Sequence, residues 1–406
     1  MKTGDQYLMK KINKTIVLET IMRCSPISRA QISDMSGLNK STVSSLVNEL
    51  IEERLVEDTG PGASSGGRKP FMLEFHQKAG FAVGIDLGVN YIMAVLADLR
   101  GTVIQECYRP LSNREPESAV LQLRSAIEDM MAVAPASHYG IVGVTIGVPG
   151  IVDDDGTGRG TVLFAPNLAW ENIDLVSMLQ PLRGFTGPIA ICNEANAGAV
   201  GELHFGAARD VRDMIYISVG MGIGAGVILG RELYLGSSGF SGEAGHVSIR
   251  QDGAPCTCGN MGCWELYASE KALLEQAAKL PGIPLSDLAG GAGGGGLELS
   301  TLVHLAEGGN VEVIRLFEEI GEALAVGVVN MMNLFNPQLI VIGNRFAALE
   351  RWLGEPLRRA IERRSPPYLR RTLTVAFSHL GTRSAALGAA HLAIAQFFAA
   401  GKASVQ

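Results

Sequence analysis

Cys256, Cys258 and Cys263 fall within eight residues, and His246 stands ten positions before the first of them. Three thiols and an imidazole are a standard tetrahedral set for zinc, which takes soft or borderline ligands. Gly259 and Gly262 permit the tight turns that aim three sulfurs at one point. In an intracellular chain such spacing points to a metal, against the alternatives of metal-free buried thiols or a disulfide. Glu243 and Glu265 flank the cluster, and a four-ligand shell needs neither. Two carboxylates beside a rigid metal knot suit the hydroxyls of a polyhydroxylated ligand, so the zinc reads as structural.

The chain is long enough, at 406 residues, for two or three domains, and its 47% apolar and 18% charged content is that of a core-rich globular protein. No apolar run reaches the length of a membrane span, and the N-terminus lacks the basic-then-apolar pattern of a secretory signal. A cytoplasmic protein with no membrane partner is the expectation. Cys24, Cys107 and Cys192 stand in apolar or mixed contexts and read as packing residues. Residues 1–80 hold eleven Lys/Arg and nine Asp/Glu, a net of +2; removing that from the whole-chain −7 leaves −9 for residues 81–406. A basic head on an acidic body points to nucleic acid for the head alone.

The head must position whatever reads that nucleic acid. Met9, Ile12, Ile16, Val17 and Ile21 share one helical face. Ser28 and Gln31 have capping-box spacing, with Ile27 and Ile32 placed as a staple, and Gly37 should end this short helix. A further helix is predicted from about Asn39 to Arg54, burying Val43, Leu46, Val47 and Leu50. Two helices joined by a short glycine turn make a helix-turn-helix. Lys40, Ser41, Thr42, Ser44, Ser45 and Asn48 lie exposed on the second helix, where short polar side chains reach base edges and phosphates. Strands at Leu55–Glu57 and Phe71–Phe75 enclose a glycine-rich loop with Arg68 and Lys69, suited to a wing lying along a minor groove.

From Phe81 the texture becomes α/β. Phe81–Ile85, Tyr91–Ala97, Val103–Tyr108 and Ile141–Ile146 read as strands, with a helix from about Pro116 to Met131. Ile189–Cys192 leads into Asn193-Glu194-Ala195-Asn196 and a helix to about Phe205. The pattern restarts at Met214, with a strand Ile215–Val219 and a glycine loop from Gly220 to Gly226. Gly290–Gly296 reads as a surface insert. Helices around Val311–Asn333 and Ser384–Phe398 bracket a strand Leu339–Ile342. Two similar halves imply a cleft between two lobes.

These motifs resemble the ROK family (repressors, open reading frames and sugar kinases), on the actin-like sugar-kinase/Hsp70 fold. The Asp86 turn, Gly147-Val148-Pro149-Gly150, Asn193–Asn196, Gly242–His246 and Cys256–Glu265 carry the resemblance, which covers nearly everything from residue 81 onward. The winged head is that of the family's repressor members. The resemblance implies that His246, Cys256, Cys258 and Cys263 hold zinc. It implies that Asn167, Asn193, Glu243, His246 and Glu265 contact a monosaccharide effector, xylose or a related sugar. His246 would then hold zinc through one ring nitrogen and a sugar hydroxyl through the other.

Kinase members resemble this chain but keep an Asp at the position of Glu194 as base. The longer side chain displaces the carboxylate by about an ångström, on the order of a hundredfold in rate, though Glu194 can still accept a sugar hydroxyl. Val89 and Asn90 replace the Gly-Thr of the kinases' first phosphate loop, Met221 interrupts Gly220 and Gly222, and Gly343-Asn344 breaks a further glycine pair. The expected function is therefore a non-enzymatic, sugar-responsive repressor that binds operator DNA as a homodimer and is released by sugar. The alternatives are an active ATP-dependent sugar kinase with an accessory DNA-binding head, and an adaptor controlled by another protein.

Overall fold

The computed structural model describes residues 4–61, 70–153, 160–281, 283 and 297–400. Arg68 and Lys69 of the expected wing, and the Gly290–Gly296 insert, lie outside them. The head runs α1 (Gly4–Cys24), β1 (Ile27–Ser28), α2 (Arg29–Ser36), α3 (Lys40–Glu52), β2 (Val56–Pro61) and β3 (Phe71–Phe75). Ser28 and Gln31 form the expected capping box, and Gly37 closes α2 in the left-handed region at φ 70°. Asn39 caps α3 by accepting from the Thr42 N–H, and Val43, Leu46, Val47 and Leu50 are buried as predicted. The apolar face of α1 is buried only in its second half. Val17 and Ile21 are fully buried, but Met9, Ile12 and Ile16 remain 51%, 44% and 36% exposed. The first half of α1 meets α3 through the ion pairs Lys10–Glu49 and Lys14–Glu53 instead of through apolar contact.

The first lobe contains β4 (Phe81–Leu87), β5 (Tyr91–Asp98), β6 (Val103–Pro110), α4 (Pro116–Ala132), β7 (Ile141–Val148), β8 (Ile151–Asp153), β9 (Thr161–Ala165), β10 (Trp170–Asp174), α5 (Leu175–Leu179), β11 (Ile189–Asn193) and α6 (Glu194–Phe205). The second contains β12 (Met214–Val219), β13 (Ile223–Leu229), β14 (Glu232–Leu233), α7 (Glu265–Ala268), α8 (Glu270–Ala277), α9 (Leu299–Glu307), α10 (Val311–Phe335), β15 (Leu339–Gly343), α11 (Glu350–Arg364), α12 (Pro367–Arg370) and β16 (Thr374–Phe377), before α13 (Arg383–Ala399) closes the described chain.

The sheet orders are β11-β7-β4-β5-β6 and β14-β13-β12-β15-β16. In each, the first strand in chain order pairs antiparallel with the second and parallel with the fourth. The restart expected at Met214 is a repeat of topology. The glycine loop expected from Gly220 to Gly226 is instead largely strand β13. Its glycines serve packing, since a Cβ on Gly226 would lie 2.4 Å from the Ala195 carbonyl oxygen of α6. Three short strands, β8, β9 and β10, form a separate small sheet that the sequence pattern did not disclose.

The last helix, α13, returns to the first lobe and packs on β4, β5, β7 and α6. Its run of alanines follows from that position. A Cβ on Gly84 of β4 would lie 2.0 Å from the Ala386 carbonyl oxygen, so strand and helix backbones nearly touch. Toward its end, Ala393, Ile394 and Phe397 join the buried core of the head. Further bonds bind head to body, from the Tyr139 hydroxyl to the Glu53 carbonyl at 2.7 Å and from Lys11 to the Ala399 carbonyl at 2.8 Å.

Candidate functional site

His246 ends a short turn, Ala244–His246, laid against β13, where the Ala225 N–H donates to the Gly242 carbonyl at 2.9 Å. Gly259 and Gly262 take φ of 91° and 67°, making the expected turns. The ligand atoms of His246, Cys256, Cys258 and Cys263 all lie within 4.8 Å of one another. Cys258 and Cys263 sulfurs are 3.7 Å apart, and Cys256 Sγ is 3.7 Å from His246 Nδ1. Sulfurs about 2.3 Å from a shared ion at tetrahedral angles sit about 3.8 Å apart, so the cluster has the dimensions of a metal site. It is too wide for a disulfide, whose sulfurs approach to about 2.05 Å. Burial raises the Cys256 and Cys263 thiols above their ordinary values, which leaves them neutral unless a cation is present.

The other ring nitrogen, His246 Nε2, faces Glu243 at 3.9 Å, while Glu265 approaches Nδ1 at 3.6 Å. The imidazole therefore stands between the sulfur cluster and a cavity of about 320 Å³ between the lobes. Asn167, Asn193, Glu194, Glu243, His246 and Glu265 all line that cavity. Its size lies at the small end for ligand pockets, suiting a single sugar ring. Gly222 explains part of the convergence: a Cβ there would meet Asn167 Nδ2 at 2.8 Å and Glu265 Oε2 at 2.9 Å.

Asn193 is already heavily used. Its Oδ1 accepts from the Ala195 and Asn196 N–H groups, and its Nδ2 donates to the Gly150 carbonyl, which leaves one amide proton for a ligand. Glu194 opens α6 with its carboxyl pushed up to about 8 by burial, then by Asp86 and Glu243. Burial also raises Glu243. Held neutral, the Glu194 carboxyl can donate as well as accept, which matches a sugar hydroxyl.

On the head, Lys40, Ser41, Ser45 and Asn48 are exposed along α3, with Thr42 and Ser44 half-buried. Arg29, at the start of α2, donates to Asn48 Oδ1 at 3.1 Å and adds a cation to this surface. Its one-letter context gave no hint of that.

Residues 82–396 match the model of the ROK family, and residues 17–60 match the IclR helix-turn-helix domain. The chain belongs to the ROK family. A xylose repressor of Bacillus subtilis is 41% identical over 398 residues, covering 98% of both chains. The crystal structure of a ROK family transcriptional regulator, a homolog of the E. coli MLC protein, superposes with a TM-score of 0.77 at 25% identity, over 96% of this chain and 97% of that one. A ROK family glucokinase from Streptomyces griseus, solved with glucose and AMPPNP, gives 0.67 at 30% identity, over 77% of this chain and 99% of the glucokinase. This ROK chain thus has the actin-like fold of the sugar kinases together with a helix-turn-helix head. Among the described residues no helix is long and apolar enough to cross a membrane.

Beyond the expected set, this ROK cavity is also lined by Asn90, Tyr91, Ser218, Asn344 and Arg345. Asp86, expected only as a turn, is 1% exposed and carries an unpartnered Oδ1. Burial raises its carboxyl to about 7, against the Tyr91 hydrogen bond that lowers it.

Proposed function

We propose that this chain is a sugar-responsive transcriptional repressor, with xylose or a closely related monosaccharide as effector. The observation that carries it is the convergence of six expected sugar-contacting side chains on one cavity of about 320 Å³, in a chain that also carries a helix-turn-helix. Residues 1–80 bind operator DNA through α3 and the wing, and residues 81–406 bind the effector and pair two copies on two half-sites. The xylose repressors aligned over the whole chain favour xylose. The protein is taken to act in the cytoplasm.

Zinc fits the four-ligand cluster by donor type and spacing, and when bound it supplies a fixed brace rather than a reactive centre. His246 Nε2 is then free to meet a hydroxyl beside Glu243, while Glu265 backs the Nδ1 side. Metal geometry and effector contact are linked through one ring.

The non-enzymatic reading rests on the phosphate end of the cleft. A Cβ on Gly88 would lie 2.3 Å from the Tyr91 ring, so this loop is roofed by an aromatic side chain instead of open to a phosphate. Val89 and Asn344 add bulk where kinases carry glycine, and Met221 stands between Gly220 and Gly222 where they carry threonine. The sugar is bound and no group is transferred to it.

Effector binding lowers operator affinity only if the sugar favours one arrangement of lobes over another. Mobility-shift titration of an operator fragment should show release as xylose is added. Unchanged DNA affinity across pentoses and hexoses would defeat this reading, and phosphorylation of xylose from ATP by the purified protein would replace it with a kinase.

A further inference from the structure

Asn90, Tyr91, Asn344 and Arg345 line the cavity and bond across the cleft, with Ser218 backing Asn344. Tyr91 and Asn90 belong to the first lobe; Ser218, Asn344 and Arg345 belong to the second. The Tyr91 hydroxyl lies 2.7 Å from Asp86 Oδ2 and 3.1 Å from Asn344 Oδ1. Asn344 Nδ2 donates onward to Ser218 Oγ at 3.1 Å. Arg345 Nη1 reaches Asn90 Oδ1 at 3.4 Å, and its Nε pairs with Glu270, itself 1% exposed, at 3.1 Å. Each lobe thus presents a backed polar group to the other.

We propose that Tyr91, Asn344 and Arg345 form a clasp that holds the two lobes together and so sets the affinity of the cleft for its ligand. This rests on reading the cavity as the effector site. The backbone supplies an independent argument. Asn344 sits at φ 59°, in the left-handed region where glycine is the unstrained choice. Asparagine is kept there with both side-chain atoms bonded, one to each lobe, so its amide has a use that a glycine could not serve. Tyr91 is likewise fixed, 3% exposed and stacked on Tyr108 with ring centroids 5.4 Å apart. A phenol has one proton for two acceptors. The Tyr91 hydroxyl therefore serves Asp86 Oδ2 and Asn344 Oδ1 in turn.

A closed cleft is the form in which Asn167, from the first lobe, and Glu265, from the second, face the same ligand. Bonds that favour closure in the free protein raise the fraction ready to bind, and losing them lowers apparent affinity in proportion. The clasp residues are positioning residues: they act through the distance between lobes.

Asn344→Gly is the cleanest probe, because glycine suits the backbone and only the bridge is lost. Tyr91→Phe removes the hydroxyl alone. Interlobe distance is read from a dye pair at unnatural amino acids replacing Leu121 and Val311, which are 66% and 72% exposed. Xylose affinity is read by calorimetry. Both substitutions should lengthen the interlobe distance of the free protein and weaken xylose binding by about fivefold, the worth of one net hydrogen bond, while Asn344→Gly leaves the thermal midpoint unchanged. Unchanged distance and affinity in both variants overturn the clasp. If the unsubstituted protein binds no sugar, the effector reading fails, and the distance measurement alone still decides the clasp: lengthening supports it and constancy refutes it.

Discussion

At one end of the interlobe cavity Glu243, His246 and Glu265 surround open space; at the other, the Tyr91 ring and the Asn344 amide fill it. The filled end is made at the start of β5 and just past β15, the open end by a short turn and the first residue of α7, and each lobe brings the same strand order to the cleft. The open end is braced from behind by a cysteine cluster that no ligand has to supply. The filled end is braced by bonds between the lobes themselves. The fold is shared with a ROK family glucokinase solved with glucose and AMPPNP, and on the proposed reading a few side chains keep one subsite of it and close another.

Three substitutions test that contrast, beginning with the largest effect. Cys258→Ser removes a proposed ligand that is exposed, so packing loss should be small and metal loss should dominate. Zinc content by elemental analysis should fall to near zero, with the thermal midpoint lowered and the sugar response of DNA binding abolished. Full zinc and a normal response would mean that the open end needs no brace. Glu243→Gln acts on the open end alone. A hydrogen bond to a charged or strongly polar partner is worth ~1.5–3 kcal/mol, so xylose affinity should drop by about 10- to 100-fold with zinc content retained. Equal affinity in calorimetry would move the sugar elsewhere.

The smallest effect concerns Glu194, which lies between the two ends. Its folded carboxyl titrates near 8, against an ordinary value of 4.5, because the charged form is buried. The native state holds this proton more tightly than the unfolded chain does, so the cost of ionisation is absent below about pH 4.5 and grows up to about pH 8. Glu194→Gln should gain thermal stability relative to the parent across that window, with the gap levelling off above it. A gap independent of pH would show that the carboxyl is solvated and the filled end less dry than described.

The open end was readable in the sequence because its parts are local. Gly242 to His246 and Cys256 to Glu265 lie within one stretch, and the residue types alone restrict the chemistry. The filled end was not. Val89 and Asn344 could be read as losses of glycine and Met221 as an interruption of a glycine loop, but the Tyr91–Asn344 bond joins positions 253 residues apart and leaves no trace in either neighbourhood. Helix periodicity showed the same limit. It marked an apolar face on α1, but could not say that ion pairs would carry its first half and leave Met9 and Ile12 in solvent. The glycines of β13 looked like a loop because propensity penalises them in strands. What outweighed it was the approach of α6, visible only once the lobes are assembled.

The placement of α13 bears on the order of synthesis. The last strand of the first sheet ends at Asn193, yet the helix that covers that sheet begins at Arg383. A ribosome must add nearly half the polypeptide before β4, β5 and β7 acquire their roof and the head receives Ile394 and Phe397. Until then an apolar sheet face waits uncovered, a hazard for a nascent chain. By the same token, a message cut short yields a product whose head lacks part of its core.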